Sequence, residues 1–164
     1  MKIIIGCSRN SDCKIGSELI QWWQGTDYSH VYARWYLKTQ EREIVFQASH
    51  GSVNQVSLDF FTKDNTIVKE FTLELSDDQF KKFSQKCIDL CGQKYSIIEL
   101  FQIVISNITN GKVKFSDQNG YICSELMAEL LEDFFGAKFD KPAFMLRPDD
   151  IIGFLEINSN LQTV

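Results

Sequence analysis

The chain has 164 residues, of which 44% are hydrophobic, enough to bury roughly 70% of its unfolded surface around one core, so a single domain spanning 1–164 is expected. A net charge of −5, with no run of Lys or Arg, argues against a nucleic-acid partner or an anionic membrane surface. The longest apolar patch, IIELFQIVISNI, is interrupted by Glu99, Gln102 and Ser106, which argues against membrane insertion, and MKIIIG is too short for a secretion signal, so a cytoplasmic protein is expected.

In chain order, KIIIG reads as a short strand. GSELIQWWQ reads as a helix capped by Ser17, with Leu19, Ile20, Trp22 and Trp23 on its apolar side. SHVYARWYL and REIVFQAS are rich in β-branched and aromatic residues and predict an antiparallel pair. VSLDFF and TIVKEFTLEL continue as extended segments. SDDQFKKFSQKCIDLCG opens with a capping box, Ser76 to Gln79, and closes at Gly92. SIIELFQIVISNI reads as a further helix, ended by the turn-like TNGK. From Cys123, apolar residues recur at Leu126, Met127, Leu130, Leu131, Phe134 and Phe135, the rhythm of a helix with one buried face. That helix stops near Gly136, and a tail containing LRPDDIIGFL follows. Strands in the middle and helices in separate blocks predict an α+β fold, with a central antiparallel sheet or barrel flanked by helices.

Five cysteines in a chain without a secretion signal argue for free thiols rather than a disulfide framework. Cys7 and Cys13 lie in a polar segment, and Cys87 and Cys91 share one helical face. No Cys-x-x-Cys or His-x-x-x-His spacing is present, so neither a metal nor another cofactor is expected.

Cys123 stands apart because it opens its helix. There the unpaired N–H groups and the helix dipole favour a thiolate, and with a cation or histidine nearby the thiol pKa falls. The plainer reading is a cysteine that begins a core stripe. A nucleophilic thiol needs a base, usually histidine, and the chain has only His30 and His50. His30 opens the strongest strand and shares its face with Tyr32 and Arg34, where a base would be held rigidly; otherwise it is a surface-strand residue. His50, in ASHGSV, reads as a turn residue.

Taken together, the YSH strand, the following VFQAS and GSV, the GQKYS segment, the late YICSEL and the closing RPDDI resemble the permuted papain-like hydrolases. This is the NlpC-like branch that includes the lecithin retinol acyltransferase-type proteins. Both histidines precede Cys123, the order that circular permutation produces. The resemblance spans essentially the whole chain. It implies a permuted papain-like fold, Cys123 as nucleophile, His30 as base, and Gln47 as the residue orienting the imidazole. Many members carry a glutamate at that third position, so Gln47 departs from the pattern; His50 competes for the role. Tyr28 and Tyr95 are candidate oxyanion donors beside the Cys123 N–H, though each also suits aromatic packing. The implied chemistry is acyl transfer on a small peptide or acyl substrate, such as a peptidoglycan amide, by a bacterial or bacteriophage protein. Two other readings stand beside it: a lipid or thioester acyltransferase, for which IIELFQIVISNI would supply the apolar patch, and a non-catalytic binding or assembly protein that keeps the fold.

Overall fold

The computed structural model describes residues 1–11, 18, 21–22, 25–94 and 121–158. Strands β1 (Lys2–Asn10), β2 (His30–Leu37), β3 (Arg42–Ser49), β4 (Ser52–Ser57) and β5 (Asn65–Glu74) form one antiparallel sheet in the order β4-β3-β2-β1-β5. Helices α1 (Leu58–Asp64), α2 (Asp77–Leu90), α3 (Cys123–Phe135) and α4 (Pro148–Ile157) complete the described elements, with a short 3-10 turn at Ala143–Met145. The protein is therefore α+β, a five-stranded antiparallel sheet flanked by helices. Among the described residues β4 and β5 are its two edges and do not pair with each other, so the sheet is open rather than a closed barrel.

Alternation along the strands divides the side chains. Val31, Ala33 and Trp35 of β2, with Phe46 and Ala48 of β3, enter the principal core, whereas Tyr32 and Val45 join Phe61 in a smaller cluster. β1 runs well beyond KIIIG. Cys7, expected in a polar segment, is a fully buried strand residue, because β1 is paired on both sides and its backbone stays satisfied past Gly6. β3 and β4 are joined by His50 and Gly51, with φ of 53° and 85°. Positive φ at both central residues is the geometry of a tight hairpin turn that follows the strands' twist. That turn fixes Ser49 opposite Ser52 and Gln47 opposite Asn54.

VSLDFF is not extended throughout. The strand ends at Ser57, whose hydroxyl accepts from the Phe60 N–H at 3.3 Å and caps α1. Asp59 in the first turn favours the same start, and the helix buries Phe61 with its ring 4.6 Å from that of Tyr32. Helix α2 has the expected Ser76–Gln79 capping box and buries Phe83 and Cys87. Cys91 is exposed although four residues from Cys87, because as the C-cap it already has extended backbone.

Helix α3 buries the predicted stripe from Cys123 to Leu131 and stops at Gly136, whose φ of 64° is left-handed. The tail is itself helical: Pro148 occupies its first turn with Asp149 and Asp150, and α4 buries Ile151, Ile152 and Leu155. In GSELIQWWQ, Glu18, Gln21 and Trp22 are helical, but Trp22 is 73% exposed rather than on a buried side. Ser17, Leu19, Ile20, Trp23 and Cys13 lie outside the described residues, as do SIIELFQIVISNI and TNGK. Among the described residues no helix is long and apolar enough to cross a membrane.

Candidate active site

His30 is the first residue of β2, and its Nε2 lies 2.9 Å from Oε1 of Gln47 on β3. An amide oxygen can only accept, so Nε2 carries the hydrogen and Nδ1 is left with a free lone pair. Gln47 is 3% exposed. Its Nε2 makes a long contact, 3.4 Å, to Oδ1 of Asn54 on β4. The His30 ring centroid is 6.3 Å from that of Phe61, on the Tyr32 side of the sheet. Burial pushes the His30 pKa down to about 4; the Gln47 hydrogen bond opposes the drop and His50 adds to it. At neutral pH the imidazole is uncharged and able to accept a proton at Nδ1.

Cys123 is the first residue of α3 and 2% exposed. Its N-cap is Ile122, which makes no side-chain capping bond, and the N–H groups of Cys123 and Ser124 act on the sulfur. The thiol lies within reach of the backbone N–H groups of Val31, Ser124 and Cys123 itself. Those dipoles lower its pKa, but burial raises it by more, and the net shift is upward. This corrects the expectation of a depressed thiol pKa. Among the described residues no cation acts on the sulfur, and N–H dipoles alone do not offset removing a thiolate from water.

The structure thus brings Cys123 and His30 to the same end of β2. The sulfur rests at the Val31 N–H beside the principal core, and the imidazole of the preceding residue is tied to Gln47. Among the described residues no hydrogen bond joins the sulfur to the ring.

Of the two candidates for the third position, Gln47 is bonded to His30. His50 is exposed at the hairpin turn, its Nδ1 2.8 Å from Oγ of Ser49. Tyr28 packs partly buried against the principal core. Burial raises its phenol strongly, and Cys7, Asp149, Glu156 and Asp27 add to the shift. A phenol shifted upward stays protonated and so remains a hydrogen-bond donor. Tyr95 lies outside the described residues. Among the described residues the other thiols are also shifted upward by burial, Cys7 to about 11 and Cys87 and Cys91 in the same direction.

Two participants were not singled out in the sequence. The N–H of Val31 carries no side-chain signal. Asn54 had one: in a hairpin closed by the two residues His50 and Gly51, counting back from the turn sets Asn54 opposite Gln47.

No family model matches the chain, and no curated protein matches it either. Among solved structures it is similar to the metalloprotein yiiX from Escherichia coli O157:H7, described as DUF1105. The TM-score is 0.54 at 21% identity, covering 99% of this chain and 82% of that one. At that identity the likeness concerns the fold alone. Among the described residues here, no group of three His, Cys, Asp or Glu side chains is clustered so as to hold a metal ion.

Proposed function

We propose that this protein is a cysteine hydrolase of the permuted papain-like, NlpC-like type. In this reading it opens a peptide amide, such as one in peptidoglycan, by acyl transfer through Cys123 and His30. The observation that supports it is the 2.9 Å bond from His30 to Gln47, which leaves Nδ1 free at the strand end where the Cys123 sulfur rests.

The resting pair is a neutral thiol and a neutral imidazole, so the proton moves during attack rather than before it. For this step the sulfur must leave the Val31 N–H and face Nδ1. As Nδ1 takes the thiol proton, sulfur adds to the amide carbonyl. The resulting oxyanion meets the N–H groups at the start of α3. The imidazolium then gives its proton to the leaving nitrogen, the C–N bond breaks and a thioester remains. Water, deprotonated by His30, adds to the thioester; the C–S bond breaks and the proton returns to sulfur.

A second reading has its own support. A buried, upward-shifted thiol with no bond to the imidazole also suits a binding protein that keeps the fold without the chemistry. Mass spectrometry after incubation with cell-wall fragments, and separately with lipid extracts, tests both. A covalent acyl adduct on Cys123 from wall fragments, absent in Cys123→Ala, is the expected result. An adduct formed only with lipid extract moves the assignment to the acyltransferase type. No adduct from either source, with ligand binding retained by Cys123→Ala, overturns the hydrolase.

A further inference from the structure

We infer that Asn54 is a positioning residue: it fixes which way the Gln47 amide points and thereby which nitrogen of His30 is free to act as base. The inference rests on the Cys–His reading for its catalytic consequence, but its structural content stands alone. Nδ2 of Asn54 donates to two backbone carbonyls of the hairpin, Ser49 O at 2.9 Å and Ser52 O at 3.1 Å. Carbonyls only accept, so the Asn54 amide has one favourable orientation, with Oδ1 turned toward Gln47. Gln47 must answer with its NH2 group, at 3.4 Å, which turns Oε1 toward His30. The ring then has to donate from Nε2, and Nδ1 keeps its lone pair. If the Gln47 amide were reversed, its oxygen would face that of Asn54, and its NH2 would favour the ring form protonated at Nδ1. In that form the nitrogen assigned as base has no lone pair to offer. Two turn carbonyls thus set the protonation pattern of the imidazole through two amides lying side by side in the β3–β4 ladder, Gln47 opposite Asn54.

A neutral Gln needs such help because its two ends differ. A carboxylate does not, since both of its oxygens accept. This difference provides the test. Imidazole nitrogen shifts from NMR identify the tautomer, with the His50 signals removed by His50→Asn. In the parent protein the Nε2–H form should dominate at pH 7. Asn54→Ala should give a mixture of tautomers and slow Cys123 alkylation by roughly threefold to tenfold, the span expected for one neutral hydrogen bond. Gln47→Glu combined with Asn54→Ala should restore the Nε2–H form, which a general loosening of the hairpin would not do. If Asn54→Ala does not fold, Asn54→Ser serves instead, since its shorter side chain ends one bond further from Gln47. The inference is overturned by a parent protein in the Nδ1–H form, by an Asn54 variant with unchanged tautomer, or by failure of Gln47→Glu to rescue. All of these are read without substrate. An Asn54-dependent tautomer in a protein that forms no acyl adduct would therefore retain this inference while rejecting the hydrolase.

Discussion

Along β2, Val31, Ala33 and Trp35 enter the principal core, while His30, Tyr32 and Arg34 meet polar partners on the other side of the sheet. The first face is held by volume: helices α2, α3 and α4 lay Phe83, Leu126, Leu131 and Ile151 against it. The second face is held by pairing. Arg34 grips Glu70 through Nε and a terminal nitrogen, each at 2.7 Å, and also contacts Glu43. Tyr32 donates to the same Glu70 at 2.7 Å. His30, Gln47 and Asn54 continue this polar pattern toward the hairpin end. The apolar face tolerates no missing volume, and the polar face tolerates no missing partner. Cys123 belongs to the first and His30 to the second, so the candidate site lies where the two regimes meet.

The largest separation between the two regimes should come from Cys123→Ala. Activity on any substrate that acylates the wild type should fall to background, while stability changes by only about 1 kcal/mol in urea unfolding. A folded Cys123→Ala protein with wild-type turnover would falsify the catalytic reading. Next comes Leu126→Ala, which removes a fully buried side chain from the apolar face and should cost about 2–5 kcal/mol. Glu70→Ala on the polar face should cost less, about 1–3 kcal/mol, because Arg34 keeps Glu43. Equal losses in parallel urea titrations would erase the distinction between the faces.

Acid should act selectively on the polar face. The folded His30 pKa, about 4, is depressed from 6.5, so an unfolded chain binds the proton first as pH falls. Its contribution is complete above 6.5 and is lost as pH drops toward 4, at up to about 1.4 kcal/mol per unit. Urea midpoints at pH 7 and pH 5 measure that slope, and His30→Ala should flatten it. The same shift moves the acid limb of turnover below the usual histidine range.

A smaller effect is expected at Gln47. Gln47→Ala should reduce turnover by roughly tenfold, and Gln47→Glu should raise the His30 pKa, both visible in pH–rate profiles. The smallest effect belongs to His50→Asn. Asn suits the left-handed turn, so stability should stay within about 0.5 kcal/mol and turnover should not change. An inactive His50→Asn protein would transfer the third position from Gln47 to His50.

Strands β2, β3 and β5, the Ser76 cap and the stripe of α3 were legible because each is written within a dozen consecutive residues. From sequence, β1 reads short and β4 is placed too late. Helix α4 reads from sequence as a tail, although Pro148, Asp149 and Asp150 are the residues of a helix start. Helix α1 was hidden because Val56, Leu58 and Phe60 alternate like a strand, and the Ser57 cap decides against it. Candidate site residues could be named by type, but their electrostatics could not be read. Whether the Cys123 thiol rises or falls depends on how deeply α3 sinks against β2, and that depth is set by residues distant in sequence. The face from which the sulfur approaches is equally a matter of packing.

The His50–Gly51 turn has a consequence for where this chain can grow. Exposed loop tips are usually the safest places for added residues, and this tip is exposed. Here a single extra residue would slide β4 along β3, set Val53 or Gln55 opposite Gln47 in place of Asn54, and invert which side chains face the core. The hairpin tip acts as a length gauge for the site, so an insertion there should do more harm than many substitutions in buried strands.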